Sequence, residues 1–337
     1  MTPPNSTHSE RRPLVTGASG VIGSAICRHL CAAGERPIVL VRETSGLSRL
    51  EGLDVEIRTA DLARPASLRG VADGAGVVYH AAAAWRHEKL STREFFSVNV
   101  GGSRAMAEEA ARAGARRFVF LSTVGVHGEI ENPPANESAP IRPGDRYQRS
   151  KVEAEAAVNE AARDTGIEAV HVRPSGVYGP YDRRFLKLFR AVARGYFVMI
   201  GSGRVLYHLT FEDDVADGVV RAGTTPGVAG RAFILSGPKA VTLRELVDTL
   251  ASVLGVKRPR LRIPVWPVYA AAVACEAVCR PLRIEPPLYR RRVDFFVKDR
   301  AFDSRAAREA LGFAPRVGLR EGLERTAAAY RKAGWLA

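Results

Sequence analysis

The sequence predicts an α/β fold with a doubly wound parallel sheet of about seven strands, followed by a smaller, mostly helical C-terminal region. Three observations lead to this prediction. Short β-branched runs alternate with longer helical patterns through the first 240 residues. The runs are almost continuously apolar, as expected where helices cover both faces of a parallel sheet. A glycine-rich turn joins the first run to the first helix.

The expected strands mark out the domains. Residues 12–180 form the main α/β domain, to which a strand near 231–236 returns. Residues 181–230 and 237–337 form mainly a second, smaller region, and residues 1–11 are polar enough to be a disordered tail. The strands are predicted at residues 13–16, 37–42, 55–58, 77–80, 118–122, 169–173 and 232–236.

Two helices are expected in the C-terminal region. Residues 243–254 have a helical pattern, and an apolar segment, 265–279, follows among prolines. This segment carries Glu276 and is shorter than the roughly 20 residues that a membrane-spanning helix needs. We therefore predict a core helix rather than an anchor lying on a membrane, and no stable membrane insertion.

Composition and charge limit the classes of binding partner that we expect. The formal net charge of +14 is the excess of 43 Arg and 7 Lys over 36 Asp and Glu residues, and the basic residues are scattered along the chain. We therefore expect no nucleic-acid partner. The cysteines form two pairs, Cys27 with Cys31 and Cys275 with Cys279, in apolar helical segments without nearby His or acidic clusters. We expect small buried thiols and no metal site. Because the N-terminus lacks the apolar stretch of a secretory signal, a cytoplasmic protein is predicted.

The turn TGASGVIG, residues 16–23, predicts dinucleotide binding. Gly17 permits the tight turn, Gly20 lets the backbone approach a pyrophosphate, and Gly23 lets the helix pack closely on the strand. The N–H groups and the dipole of the helix N-terminus favour a negative charge there. Ser19, Val21 and Ile22 lie on the same turn. The main domain is therefore expected to be of the Rossmann type.

The end of the second strand indicates which dinucleotide is bound. An acidic residue at this position accepts hydrogen bonds from the free ribose hydroxyls of NAD, but the sequence has Arg42. A guanidinium suits a 2′-phosphate, with help from Ser45 or Arg49, so NADP is favoured and NAD remains possible. The alternative is a solvated arginine. Asp61 either accepts a hydrogen bond from the adenine amino group or caps a helix.

A phenol and an ammonium stand four residues apart in the segment YQRSK, at Tyr147 and Lys151. On a helix they share one face, about one turn apart. In a pocket with little water the ammonium favours the phenolate and lowers the pKa of the tyrosine, which makes it a usable acid and base. Leu121-Ser122-Thr123 ends the fifth strand on the same side of the sheet.

Together these features resemble the extended short-chain dehydrogenase/reductase family, also described as epimerase/dehydratase-like, over nearly the whole chain. The motifs that carry the resemblance are TGASGVIG (16–23), Asp61 with Leu62, His80-Ala81-Ala82, NVGG (99–102), STVGVHG (122–128), YQRSK (147–151) and RPSGVYGP (173–180). The resemblance implies that the second region, mainly residues 181–230 and 237–337, binds the substrate. It also implies a nicotinamide cofactor and a homodimer formed through the helices of Asn99 and Tyr147. The implied cofactor-binding residues are Gly17, Ser19, Gly20, Val21, Ile22, Gly23, Arg42, Asp61, Leu62, Ala81, Ala82, Tyr147, Lys151 and Arg173.

The resemblance also implies catalytic roles. Thr123 hydrogen-bonds the substrate oxygen, and Tyr147 transfers the proton. Lys151 lowers the pKa of the tyrosine and holds the nicotinamide ribose, while hydride passes between the substrate carbon and the nicotinamide. Asn99 matches a position that supports the active-site helix or a proton relay, although an N-cap is an alternative. Ser122 is expected to be structural or to face the cofactor.

Departures from the family pattern reduce the number of reactions that the sequence favours. Val124 stands where dehydratases have an acidic residue, which disfavours dehydration. Tyr207 stands where many epimerases have an arginine that clamps a diphosphate, although Arg204 or the cluster at residues 290–292 can replace that arginine. His127, where many epimerases have tyrosine, either shapes the pocket or is a buried, hydrogen-bonded histidine.

Within this family the sequence is most similar to the branch of dihydroflavonol reductases and 3β-hydroxysteroid dehydrogenases. The features that indicate this branch are Arg42 and the C-terminal apolar segment with Trp266 and Tyr269. The corresponding hypothesis is an NAD(P)-dependent oxidoreductase that interconverts a secondary alcohol and a ketone on a small, hydrophobic ring substrate. A nucleotide-sugar epimerase, which forms a transient 4-keto intermediate, is the alternative. A third possibility is an NADP-sensing protein without turnover, against which the intact Thr123, Tyr147 and Lys151 set argues.

Overall fold

A computed structural model describes residues 11–85, 90–279, 286–288 and 290–336, apart from the side chains of residues 291 and 292. Its centre is a parallel sheet of seven strands, which confirms the predicted fold class. The predicted tail, 1–11, lies outside the described residues except for Arg11. The Arg11 guanidinium donates to the backbone carbonyls of Ala113 and Gly114.

The strands, in chain order, are β1 (Arg12–Thr16), β2 (Ile38–Val41), β3 (Glu56–Thr59), β4 (Ala75–His80), β5 (Arg117–Leu121), β6 (Glu168–Pro174), β7 (Gly176–Tyr178), β8 (Met199–Ile200), β9 (Leu206–Tyr207), β10 (Leu209–Phe211), β11 (Ala232–Leu235), β12 (Val241–Thr242) and β13 (Arg262–Ile263). The central sheet has the order β11-β6-β5-β4-β1-β2-β3. Each of its strands overlaps one of the seven predicted runs.

The helices are α1 (Val21–Ala32), α2 (Thr92–Phe96), α3 (Gly102–Arg112), α4 (Arg146–Thr165), α5 (Leu186–Ala193), α6 (Glu212–Thr224), α7 (Leu243–Leu254), α8 (Val265–Cys279), α9 (Arg290–Val297), α10 (Arg305–Leu311) and α11 (Leu319–Lys332). A π-helical turn, Ser97–Gly101, joins α2 to α3. Short 3-10 turns cover Pro65–Leu68 and Val124–His127.

The central sheet is buried because helices cover both of its faces. Side chains of successive strand residues point to opposite faces, so Leu14 and Phe118 belong to one core and Val15 and Val119 to the other. Helices α3 and α4 cover the first face, and α1 and α6 cover the second. This explains why the strands read as continuous apolar runs.

Arg117 is a buried charge at the start of β5. Its side chain is fully buried, and its guanidinium donates to the Glu168 carboxylate at 2.7 and 2.5 Å. The same group donates to the carbonyl oxygens of Ala222 and Thr225 at the end of α6. A buried guanidinium requires such partners for its donors. Arg117 thereby fastens α6 to the edge of the sheet where β5 and β6 begin.

The C-terminal region has its own core and small sheets. Strand β7 pairs with β10, β9 with β12, and β8 with β13. Helices α5, α7 and α11 pack around a third apolar cluster that includes Phe189, Leu246, Leu323 and Tyr330. The helix predicted at residues 243–254 has these bounds in the structure.

The predicted core helix at 265–279 forms α8, but it is not a core helix. Only Ala272 and Glu276 are buried among its residues, whereas Trp266 is 74% exposed. The prediction treated apolar composition as evidence of burial. Helix α8 packs against α9 on one side only, so most of its apolar residues stay in contact with solvent.

The adjacent glycines Gly101 and Gly102 provide a test of the packing beside the sheet. A Cβ atom at Gly102 would lie 2.7 Å from Leu62 Cβ and 2.8 Å from Leu62 O, whereas one at Gly101 would meet nothing within 4 Å. We expect Gly102→Ala to lower the free energy of unfolding by about 1–3 kcal/mol through overpacking. The matched control, Gly101→Ala, should be neutral or stabilise by about 0.4–1 kcal/mol. Chemical denaturation measures both, and equal effects of the two substitutions would contradict this account.

Candidate active site

The glycine-rich turn has the geometry that its sequence predicts. Gly17 has φ +66°, a backbone conformation that favours glycine, and the Gly20 N–H donates to Gly17 O at 2.9 Å. A Cβ at Gly17 would lie 2.7 Å from Ala82 N, and one at Gly23 would strike the Gly17 carbonyl. The turn is therefore wedged between the end of β4 and the start of α1.

A buried histidine anchors this turn. His80 Nδ1 lies 2.9 Å from Thr16 Oγ1, and His80 Nε2 lies 3.0 Å from Ser103 Oγ on α3. The Thr16 hydroxyl also accepts the Ala82 N–H at 3.2 Å. Burial, reinforced by the charge of Lys151, lowers the pKa of His80 to about 3, so the ring is neutral. His80 thus ties β1, β4 and α3 together beneath the turn.

The turn fits a dinucleotide pyrophosphate. Helix α1 begins at Val21 without a side-chain cap among the described residues and without an acidic residue in its first turn. Its N-terminal N–H groups and dipole therefore suit an anion. At Gly20 a Cβ would meet only the Gly17 carbonyl, at 3.1 Å, so the outer side of the turn is open to a ligand. The assignments of Ser19, Val21 and Ile22 to the cofactor remain predictions.

The arginines near the predicted adenosine end differ in their surroundings. Arg42 is exposed at the end of β2. Its backbone N–H donates to Ser45 Oγ at 3.1 Å. Arg49 instead donates to Ser19 O at 2.8 Å and to Tyr181 O at 3.1 Å. It joins the glycine-rich turn to the loop after β7. Arg42 is therefore better placed than Arg49 to bind a phosphate on the ribose.

Asp61 and Leu62 follow β3. Asp61 Oδ1 accepts the Ala63 N–H at 3.0 Å, and Oδ2 lies 3.9 Å from the Arg64 guanidinium. Leu62 is buried and packs against α3 at Gly102. The Asp61 carboxylate thus stabilises a local turn but caps no helix, since the following 3-10 turn, Pro65–Leu68, has Arg64 at its N-cap. Its contact with adenine remains a prediction.

Thr123 follows β5 with an extended backbone and caps the next 3-10 turn. Its Oγ1 accepts the Gly125 N–H at 3.1 Å. Because that bond uses an acceptor lone pair, the hydroxyl proton can still be donated to another oxygen. Thr123 is half-buried. A substrate oxygen is the kind of acceptor that this hydroxyl suits.

Helix α4 carries Tyr147 and Lys151 on one face. Its N-cap Asp145 accepts the Gln148 N–H at 2.8 Å, and Tyr147 lies in the first turn. The buried Lys151 ammonium donates to Leu121 O at 2.6 Å and lies 4.5 Å from the centre of the Phe120 ring. Lys151 therefore fastens the start of α4 to the end of β5, two residues before Thr123.

The pKa values differ from the sequence-based expectation. Burial raises the pKa of Tyr147 to about 12, against an opposing effect of Arg184 and with a further increase from Asp145. Burial also lowers the pKa of Lys151 to about 7, although Glu155 raises it. The predicted lowering of the tyrosine pKa by Lys151 is therefore wrong for this arrangement. The physical reason is that the ammonium lies against Leu121 O and is itself desolvated.

Asn99 supports helix α4 and is not an N-cap. The buried side chain lies in the π-helical turn. Its amide nitrogen donates to Ala84 O at 3.0 Å and to Ser150 Oγ at 2.9 Å, and its oxygen accepts the Ala84 N–H at 2.7 Å. Ser150 Oγ in turn donates to Tyr147 O at 2.7 Å. Asn99 thereby connects the loop after β4 with the helix turn between Tyr147 and Lys151.

Arg173 lies in a buried polar network under α4. Its guanidinium donates to both Glu155 oxygens, at 3.0 and 2.6 Å, and its Nη1 lies 3.3 Å from His127 Nε2. His127 Nδ1 lies 3.0 Å from Ala139 O, so this ring is the buried, hydrogen-bonded histidine of the simpler interpretation. Burial, followed by the charge of Arg173, lowers the pKa of His127. These contacts account for Arg173 structurally, and its contact with the cofactor remains a prediction.

The structure brings Arg184 and Trp85 to the site, which sequence reasoning missed. The Arg184 guanidinium lies 5.3 Å from the centre of the Trp85 ring, and its charge acts to lower the pKa of Tyr147. Asp182 accepts the Arg184 Nε at 2.7 and 2.8 Å. Their only sequence signal was position, since Trp85 follows the His80-Ala81-Ala82 motif and Arg184 follows the RPSGVYGP motif.

Tyr207 occupies the position at which a diphosphate-clamping arginine was considered. It is buried, its hydroxyl donates to Phe295 O, and Arg300 Nη1 donates to that hydroxyl at 3.1 Å. Arg300 also donates to the carbonyl oxygens of Lys298 and Asp294. Both terminal nitrogens of this guanidinium are therefore bonded to protein oxygens.

The described part of the chain holds no group of three or more metal-ligating side chains. Cys27 is buried, whereas Cys31, Cys275 and Cys279 are partly exposed, so the prediction of buried thiols is correct for one of the four. None of the described helices is both long and apolar enough to cross a bilayer.

Comparisons with known proteins agree with this geometry. The model of the NAD-dependent epimerase/dehydratase family matches residues 13–235. The 3β-hydroxysteroid-dehydrogenase/decarboxylase isoform 2 of Arabidopsis thaliana is 30% identical over 355 residues, covering 96% of this chain and 62% of that protein. The chain thus spans less than two thirds of the length of the Arabidopsis protein.

Two further similarities extend the comparison. Sterol demethylase protein B of Methylococcus capsulatus is 33% identical over 258 residues, which cover 74% of this chain and 77% of that protein. The crystal structure of gox2253 superposes with a TM-score of 0.84 at 29% identity, covering 97% of this chain and all of that one. The fold is therefore shared with proteins that differ widely in sequence.

The lowered pKa of Lys151 predicts a dependence of stability on pH. Between about pH 7 and the ordinary lysine value of 10.5, the folded protein binds fewer protons at this residue than the unfolded chain does. Raising the pH through that window should therefore stabilise the wild type relative to Lys151→Met. Chemical denaturation of both proteins across the window measures this. Lys332→Met, on the surface of α11, controls for the loss of one positive charge, and a pH-independent difference between wild type and Lys151→Met would contradict the assignment.

Proposed function

Because this chain belongs to the NAD-dependent epimerase/dehydratase family, the extended short-chain dehydrogenase/reductases, we propose that it interconverts a secondary alcohol and a ketone on a small, hydrophobic ring substrate. The observation that carries this proposal is the hydrogen bond from Lys151 to Leu121 O. It fixes the helix of Tyr147 to the strand end that leads into Thr123. A proton donor and a hydroxyl donor are thereby held at one edge of the sheet, next to the glycine-rich turn.

The proposed roles follow from the contacts. Thr123 donates its hydroxyl proton to the substrate oxygen, since its own acceptor position is used by Gly125 N. Tyr147 exchanges the proton with that oxygen, and Asn99 orients its helix through Ser150. Lys151 holds the nicotinamide ribose. When bound, the nicotinamide supplies or accepts the hydride.

The raised pKa of Tyr147 keeps its phenol protonated at neutral pH. A phenol that keeps its proton at neutral pH is a general acid, and reduction of a ketone requires a proton on the oxygen. Arg184 limits this shift by favouring the phenolate, which the reverse reaction requires. We therefore propose that Tyr147 is the proton donor when the ketone is reduced and the proton acceptor in the reverse reaction.

The substrate class is inferred from the aromatic surface and from the relatives. Trp85 lies beside Arg184, whose charge acts on Tyr147, and is 36% exposed, so it adds an aromatic side chain to the surface near the site. The names of two relatives refer to a hydroxysteroid and a sterol, which are polycyclic and apolar. These observations support a hydrophobic ring over a nucleotide sugar.

The contacts of Arg300 and Arg290 weaken the alternative of nucleotide-sugar epimerisation, whereas Arg204, which can also clamp a diphosphate, is exposed. Arg300 is committed to Tyr207 and to backbone carbonyls, and Arg290 is paired with Glu276. Neither presents a full set of donors to a diphosphate. Val124 likewise supplies no acid for dehydration.

The cofactor is proposed to be NADP. The family description names NAD, and the exposed Arg42 with Ser45 at the end of β2 supports a 2′-phosphate in addition. The homodimer, the cytoplasmic location and the division into cofactor and substrate regions remain predictions from the sequence.

Tyr147→Phe tests the proposed chemistry. The variant keeps the ring but loses the proton donor, so turnover of a ketone panel that includes steroid and flavanone-like carbonyls should fall about a hundredfold or more. Binding of the nicotinamide cofactor, measured by titration, should be nearly unchanged. Tyr196→Phe, which alters an exposed tyrosine, is the matched control and should keep full activity. A Tyr147→Phe enzyme that consumes NADPH at the wild-type rate would refute the role of Tyr147.

Arg42→Ala tests the cofactor assignment. Loss of a charge-assisted hydrogen bond to a 2′-phosphate should weaken NADPH binding about tenfold or more and leave NADH binding nearly unchanged. Arg36→Ala removes an exposed arginine just before β2, at the opposite end of the strand, and should affect neither. Direct titration with each nucleotide gives the result. Equal losses for both nucleotides in Arg42→Ala would reject the phosphate contact.

A further inference from the structure

Helix α8 has its apolar side chains on the side that faces solvent, the reverse of an ordinary surface helix. Its outward positions carry only apolar residues and a tyrosine, and none of them is charged. A helix on the surface of a water-exposed protein normally places polar side chains outside. The exposed residues are Trp266, Tyr269, Ala270, Ala271, Val273, Ala274, Ala277 and Val278.

The one charged residue of α8 faces inward. Glu276 is 7% exposed, and its carboxylate accepts the Arg290 N–H at 2.8 Å and the Arg290 guanidinium at 3.1 and 3.2 Å. Glu276 thereby attaches α8 to α9. The contacts that hold the helix to the protein are thus partly ionic, whereas the side turned to solvent is apolar.

The apolar surface extends beyond the helix. Strand β13 leads into α8 and pairs with β8, and Gly201, after β8, packs against Val265. Leu261 is 61% exposed and Ile263 37% exposed. Tyr196, just before β8, is 58% exposed. We call the exposed residues of α8 together with Tyr196, Leu261 and Ile263 the α8 face.

A basic rim borders the α8 face. Lys257, Arg258, Arg260 and Arg262 are exposed directly before α8. Within the described part of the chain, none of these four forms an ion pair with a carboxylate. From residue 257 to residue 300 the sequence has eleven Lys or Arg and four Asp or Glu residues. The net charge of this segment is therefore +7, half of the +14 of the whole sequence. The surroundings of the apolar surface therefore attract anions.

The apolar surface and its basic rim together indicate what binds to the α8 face. Two copies of the chain meeting through this face would bring their basic rims together, and like charges repel. A bilayer with anionic headgroups supplies both a medium for Trp266 and Tyr269 and a negative charge for the rim. The 15 residues of α8 are too few to cross a bilayer, but an apolar helix of this length can lie along the boundary between headgroups and acyl chains.

We propose that the α8 face docks on the surface of a lipid bilayer that contains anionic headgroups. The helix axis lies along the membrane plane, with Trp266 and Val273 among the acyl chains and with Arg258 and Arg260 at the phosphates. Binding is peripheral and weakens with salt, because the rim contributes through screened charges. The inference stands independently of the proposed reaction.

The test uses the full-length protein and two kinds of vesicle. The protein should co-sediment with vesicles made of equal parts of phosphatidylcholine and phosphatidylglycerol, and much less with vesicles of phosphatidylcholine alone. Added salt should release the bound protein. Failure to bind the anionic vesicles, or equal binding to both kinds, would overturn the proposal.

Matched variants separate docking from misfolding. Val273→Asp puts a charge on the α8 face and should reduce vesicle binding at least tenfold, whereas Ile57→Asp, at a comparably exposed position on edge strand β3, should bind as wild type does. The double variant Arg258→Gln with Arg260→Gln should bind the anionic vesicles roughly thirtyfold more weakly, because each cation near an anionic surface contributes a factor of about five. Undiminished binding of Val273→Asp would overturn the proposal. So would a dimer in the absence of lipid that Val273→Asp converts to monomer, since the α8 face would then be an interface between two copies.

Discussion

The candidate site depends on one buried cation. Lys151 is almost completely removed from water, and the loss of hydration is opposed by Leu121 O, the face of Phe120 and the charge of Glu155. Burying an ammonium is costly unless such partners are present. The interaction therefore constrains β5 and α4 to one relative position. Tyr147 and Thr123, which have no direct bond to each other in the described contacts, are positioned by it.

The polar network below this cation transmits the same constraint. Glu155 faces Lys151 one helical turn away and is held by Arg173 on β6, which also contacts His127 beyond Thr123. Asn99 adds a second attachment through Ser150. Buried polar groups of this kind are satisfied as a set, so that each fixes the orientation of the next. Tyr147 and Thr123 are thus held in place by several elements, as the proposed proton transfer requires.

Much of the fold followed from the order of residues along the chain. Apolar runs such as Ile38–Val41 alternate with helical patterns, and this alternation specifies a covered parallel sheet whatever the details of packing. The turn at Gly17 and the helix that starts at Val21 are local features of the backbone, so they too could be read from the sequence. The spacing of Tyr147 and Lys151 gave their common helix face for the same reason.

Tertiary structure decided what depends on distant neighbours. The pKa of Tyr147 is set by burial and by Arg184, which lies 37 positions away in the sequence. The hydrogen-bond partners of Arg173 and Arg49 could not be predicted from local sequence patterns, because those partners belong to other elements. Helix α8 shows the same limit, because apolar composition records what a segment can bury and not whether the fold covers it. Sequence by itself determined the local conformations and the sheet; the environment of each charge required the assembled fold, because electrostatic free energies depend on every group packed nearby.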